Sequence, residues 1–277
     1  MSLNELKKIS DELKPSERMP VMFIGHGSPM NALEDNAFTR GWRAAAQALP
    51  RPQAILCVSA HWQTPGTMVT AMEHPKTIHD FGGFPRELFE AQYPAPGSPA
   101  LAKETQQTIQ KTPVTFDDDW GLDHGTWSIL KPMFPDADVP VIQLSLDYRR
   151  PAQYHYDLAK ELAPLREKGV LIVGSGNIVH NLRRVALPPN GDFNQPYAFD
   201  WALEARDIVR KKLDGRDHTG LVDYAALGQA IQLAVPTPEH YLPMLYAIAL
   251  QRESESITYF NDVPVAGSLT MTSLLIQ

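Results

Sequence analysis

Five histidines stand where a folded chain collects chemistry. His26 closes the apolar run VMFIGH, and His61 closes AILCVSAH. His180 follows VLIVGSGNIV, and His240 lies in TPEHYLPMLY, just behind two prolines. An apolar run that stops at a histidine reads as a strand delivering that side chain at its end, where open α/β sheets gather their ligands. Neutral imidazole is a good ligand for Zn(II) and Fe(II). No H-E-x-x-H or H-x-H string exists, so any ligand set must converge from separate elements. His26, His61 and His240 are read as metal ligands. His180 is read as either a ligand or an unliganded active-site base. His124, in the loop string GLDHGTW beside Asp123, is read as catalytic or substrate-orienting, since a carboxylate that meets it in space would fix its tautomer.

Other chemistry-bearing residues carry less. His74 and His79 read as structural or surface groups, and His155 and His218 as uninvolved. Asp80, Asp123 and Asp147 are the carboxylates nearest these strings, and caps or turns are their ordinary roles. Asp117, Asp118 and Asp119 read as a solvated loop. Ser28, Ser59 and Ser175 could orient water or a phenolic oxygen, but none has the G-x-S-x-G setting of a hydrolase nucleophile. GHGS and GSGN are incomplete as phosphate loops. The glycines beside His26 would let the backbone turn tightly there, and Gly82-Gly83 reads as a turn or a loop over a pocket. Trp62, Phe81, Phe84, Trp120, Trp127 and Tyr241 flank these strings and would suit a flat aromatic ligand or a core.

The elements that must position these groups follow from periodicity. Strands are expected at 20–25, 53–60, 67–72, 113–116, 139–146 and 170–174, with an edge strand at 255–260. Helices are expected at 36–48, 84–91 behind Pro85, 98–110 opened by Ser98-Pro99, 151–166, 196–213, 222–234 and 239–250. This alternation predicts an α/β fold, a three-layer α/β/α sandwich around a mostly parallel or mixed sheet. No linker or repeat divides the chain, so residues 19–277 read as one catalytic domain behind a charged leader or short helix at 1–18.

The 277 residues are 43% hydrophobic, enough for a large core. The net charge of −7 excludes a general nucleic-acid binder, which needs a basic surface. No stretch approaches the apolar length of a membrane span. A single cysteine, Cys57, inside an apolar strand, reads as a core thiol. The expectation is a cytoplasmic protein, a monomer or weak homodimer, with no nucleic-acid or membrane partner.

The strings FIGHGSPMNALEDN, PRPQAILCVSAHW, TIHDFGGFP, YPAPGSPALA, GLDHGTW, GSGNIVHNLR and PTPEHYLPMLYA together resemble the 4,5-DOPA extradiol dioxygenase family, within the class III extradiol dioxygenases. The resemblance spans roughly residues 20–272. It implies metal positions at His26, His61 and His240, with His180 at the same metal or beside it as acid–base group, and His124 near the substrate. The class more usually surrounds Fe(II) with two histidines and a glutamate; here His240 stands at the third position with Glu239 adjacent. Fe(II) is the implied catalytic metal, and Zn(II) also suits the donors. The implied reaction is O2-dependent opening of a small catechol such as DOPA. The histidines alone leave open a zinc-dependent hydrolase of an amide or ester, or a non-enzymatic metal-binding protein.

Overall fold

The computed structural model describes residues 13–277. Most of the expected leader lies outside them, and residues 13–18 form no helix. A six-stranded mixed sheet is built from β1 (Val21–Gly25), β2 (Ala54–Ser59), β3 (Val141–Gln143), β4 (Val170–Gly176), β5 (Ile257–Phe260) and β6 (Ser273–Ile276). Its spatial order is β3-β2-β4-β1-β6-β5. The first four strands run parallel, and β6 and β5 close one side antiparallel. The main helices are α1 (Ala37–Gln47), α2 (Pro99–Thr108), α3 (His124–Met133), α4 (Ala152–Glu161), α5 (Asp200–Asp214) and α6 (Leu242–Ala249).

Strand side chains alternate between two cores, as the two-residue period demands. Val21, Phe23, Leu56, Val58, Val170 and Ile172 pack with α2, α4, α5 and α6. Met22, Ile24, Ile55, Cys57, Leu171 and Val173 pack with α1 and α3 on the opposite face. The three-layer α/β/α arrangement expected from the alternation is thus the observed one. Cys57 is a buried free thiol inside that core, and burial pushes its pKa up.

Three local expectations change. The strand at 67–72 forms as Thr67–Thr70 but pairs with Val114–Asp117 outside the main sheet. The run 139–146 splits into β3 and a short strand, Leu146–Asp147. GLDHGTW is no loop: Asp123 caps α3 by accepting from Thr126 N, and His124 is its first residue. Among the described residues, no helix is long and apolar enough to cross a membrane.

Candidate metal and substrate site

The end of β4 gathers the site. β4 lies between β1 and β2, in register Gly25↔Gly176 and Ser59↔Ser175. The residues that leave all three strands therefore meet at one edge. His26 N donates to Gly176 O at 3.1 Å, Ala60 N to Ser175 O at 3.0 Å, and Asn177 N to His240 O at 2.8 Å. One strand end thereby anchors the neighbours of three histidines by backbone hydrogen bonds. Glycine is required here for space. A Cβ on Gly176 would lie 2.2 Å from His240 O, and one on Gly174 would lie 2.3 Å from Pro243 O. The His240 segment thus lies directly on the bare backbone of β4. On the other side, a Cβ on Gly125 would lie 2.7 Å from His61 Cδ2, so α3 starts against His61.

The ligating atoms of His26, His61 and His240 all lie within 4.8 Å of one another. His26 Nε2 and His61 Nε2 are 3.4 Å apart. The opposite ring nitrogens are held by the protein. Ser175 Oγ donates to Gly125 O at 2.5 Å, so it accepts from His26 Nδ1, 3.0 Å away. Glu239 Oε1 accepts from His240 Nδ1 at 3.1 Å. His61 Nδ1 faces Asp80 Oδ2 at 3.8 Å. Ser175 and Glu239 put the His26 and His240 protons on Nδ1 and leave lone pairs on Nε2, and Asp80 faces the same nitrogen of His61. His240 Nε2 is buried with no hydrogen-bond partner. Burial first, and then the neighbouring imidazoles, hold His26 and His240 well below the usual histidine range. His61 is lowered by burial and by His124, against an opposing pull from Asp80. Three neutral imidazoles aiming lone pairs at one point, one of them orphaned, fit a divalent metal.

Two further donor groups overlap this one: His61, Asp80 and His124, and His180, Glu239 and His240. Asp80 is the residue that sequence reasoning undervalued. Its Oδ1 lies 2.9 Å from His124 Nδ1 and accepts from His124 N at 2.9 Å. Burial pushes its pKa up, but the His124 contacts outweigh this and leave it lowered. The His61 and His124 rings lie 3.8 Å apart, centre to centre. His180 stacks on His240, with centroids 3.5 Å apart and planes within 8°. Burial lowers the His180 pKa to about 4.

These five histidines line a cavity of about 610 Å³. Phe81 and Phe84, on either side of Gly82-Gly83, form part of its wall. Of the other aromatics, Trp127 and Tyr241 are buried packing groups that donate to Ile78 O and Leu221 O. Trp62 and Trp120 stack on each other. His79 reaches Ala91 O, His155 reaches Tyr246 and His218 reaches Tyr156. None of these lines the cavity. Asp147 instead pairs with Arg149, and Ser59 donates to Asp123. Glu34 and Asn194 also line the cavity. Neither was expected there, because only the fold brings the loops after β1 and after β4 together.

Residues 20–215 match the family model of the catalytic LigB subunit of aromatic ring-opening dioxygenase. A 4,5-DOPA dioxygenase extradiol from Escherichia coli K12 is 48% identical over 272 residues, covering 97% of this chain and 98% of that one. The protein of the same name from Beta vulgaris is 38% identical, covering 84% of this chain and 87% of its own. The crystal structure of an uncharacterized protein from Escherichia coli K12 matches with a TM-score of 0.80 at 44% identity, over 94% of this chain and all of the other. The donor geometry and these relationships agree: the chain belongs to the class III extradiol dioxygenase family, as a non-heme, Fe(II)-dependent enzyme that opens the ring of a small catechol with O2.

Proposed function

We propose that His26, His61 and His240 hold the catalytic Fe(II), that His124 and His180 handle protons beside it, and that the 610 Å³ cavity receives the catechol. The observation that carries this reading is the convergence of three Nε2 lone pairs whose opposite nitrogens are each turned to a protein partner. When bound, Fe(II) supplies open positions for the two catechol oxygens and the electron chemistry that lets O2 react with the ring. Both atoms of O2 enter the product and the bond adjacent to the diol breaks, so no outside reductant is needed.

The protein's own groups do the rest. Phe81 and Phe84 offer apolar faces to the ring and exclude water from one side. Asp80 Oδ1 accepts from the His124 backbone N–H and lies 2.9 Å from His124 Nδ1, an ion-pair contact that turns Nδ1 to the carboxylate and leaves Nε2 for the substrate. His124 Nε2 is therefore the atom that takes a phenolic proton and returns it. The parallel stack favours His180 as a base rather than a fourth ligand. Rings stacked with centroids 3.5 Å apart and planes within 8° point their in-plane nitrogen lone pairs along near-parallel, non-converging lines, so His240 would hold the metal while His180 would stay beside it as a proton acceptor.

The test is metal content together with turnover. His26→Ala and His61→Ala should each lose most bound iron and activity while remaining folded. Wild-type iron content in both variants would reject the ligand set.

A further inference from the structure

We propose that Glu34 makes the cavity selective for catechols whose side chain carries an ammonium group. This rests on reading the cavity as the catechol site. Glu34 sits in the turn between the short 3-10 helix Pro29–Ala32 and α1, half-buried on the cavity wall. Its Oε2 accepts from Asn36 Nδ2 and from Asn194 Nδ2, each at 2.9 Å. Its backbone N–H donates to Met30 O. Those bonds fix the carboxylate from both sides of the cavity rim. They supply no positive charge, and Oε1 is left for something else.

The rest of the lining sharpens the point. Among the described residues, no Lys or Arg lines the cavity. Its other carboxylate, Asp80, is already committed to His124 and His61. Met30, Leu182, Phe193 and Leu269 add apolar wall to the same cavity, and a carboxylate with one oxygen left over favours a cationic partner there. The cavity is also larger than a bare catechol ring needs. A catechol bearing an ethylammonium arm gives Glu34 its missing counter-ion and fills the space with the arm. A catechol bearing only a carboxylate arm meets two carboxylates and, among the described residues, no lysine or arginine to pair with its arm. A zwitterionic amino-acid arm satisfies Glu34 and leaves its own carboxylate unmatched. The expected order is thus amine, then amino acid, then acid.

Glu34→Gln isolates the charge, because the glutamine carbonyl can accept both asparagine amides as the carboxylate does. The measurement is equilibrium binding to Fe(II)-loaded protein without O2, using dopamine, 4-ethylcatechol and 3,4-dihydroxyphenylpropionate. The wild type should bind dopamine at least about tenfold more tightly than 4-ethylcatechol, a factor that corresponds to ~1.4 kcal/mol. It should bind the acid most weakly. In Glu34→Gln the dopamine advantage should vanish, the acid should gain, and 4-ethylcatechol should keep its wild-type Kd. Equal binding of amine and neutral catechol by the wild type would overturn the proposal. So would an amine preference that survives in the variant, or an equal loss of all three ligands, which would make Glu34 a structural staple. If the preference is as expected but admitting O2 opens no ring, the catalytic reading fails and the charge selectivity stands.

Discussion

Each imidazole of the proposed ligand set is oriented by a different partner: Ser175 for His26, Asp80 for His61 and Glu239 for His240. These partners should carry measurable affinity. Ser175→Ala removes the acceptor that holds the His26 proton on Nδ1, and metal affinity should fall by about 10- to 100-fold. Competition titration against a chelator of known affinity reads this directly, and an unchanged Kd would show that Ser175 plays no orienting part. His124 should behave differently. His124→Ala should retain its iron and lose about 10²-fold in kcat, the scale for removing an acid–base group. Turnover per bound iron, followed across pH, separates the two cases: near-wild-type turnover clears His124 of the proton step, and loss of iron places it among the ligands.

At the scale of elements, the site depends on two segments lying against the end of β4 with no side chain between. Gly176→Ala would press a methyl group against His240 O. Overpacking of this kind costs about 1–3 kcal/mol, and here the strain falls on a proposed ligand. The variant should fold with a lowered melting temperature and weakened metal binding; wild-type values for both would show that the segment has room to move. The histidine-bearing strand ends were legible because VMFIGH and AILCVSAH are short apolar runs that stop abruptly. Helix α3 was not legible. All of its residues except Lys131 are buried, and it contains Gly125 and Pro132, so it shows neither an amphipathic stripe nor strong helix propensity. Only the Asp123 cap announced it, and a lone aspartate is a weak signal. The final strand β6 was hidden for a related reason: buried throughout, it lacks the alternation that marks a half-exposed strand. Asp80 was quoted in its string yet read as a turn residue, because its meeting with His124 joins a loop to the start of α3, 44 positions away.

At the scale of the molecule, the buried Arg166 ties the start of β1 to the loop before β5. It donates to Met19 O and Leu250 O, both at 2.7 Å, and to Glu255 Oε1 at 2.5 Å. Burial pushes the Glu255 pKa up, but the bonds from Arg166 and the Arg252 backbone, with the nearby charges of Arg166 and Arg18, leave it below the ordinary value. A carboxylate lowered in this way stabilises the fold fully above its unfolded pKa. That contribution is lost as the pH falls through the folded value. Wild-type unfolding free energy should therefore drop below about pH 4.3, the ordinary glutamate pKa. Glu255→Gln should start about 3 kcal/mol less stable, as expected when a buried pair is broken, and should fall less steeply with acid. Urea midpoints across pH give the comparison; parallel acid limbs would remove Glu255 from the account.

The sheet order also bears on how the protein is made. β1, which leads into His26, is flanked by β4 and β6, whose residues leave the ribosome about 150 and 250 positions later. At roughly 5–20 residues per second, the nascent VMFIG segment waits on the order of ten seconds for its first neighbour and longer for its second. Throughout that interval it is an unpaired apolar strand, open to any other strand edge it meets. Expression level should thus respond to translation speed and chaperone supply more than the finished enzyme's stability would indicate, and the cluster of histidines should be among the last features of the nascent chain to form.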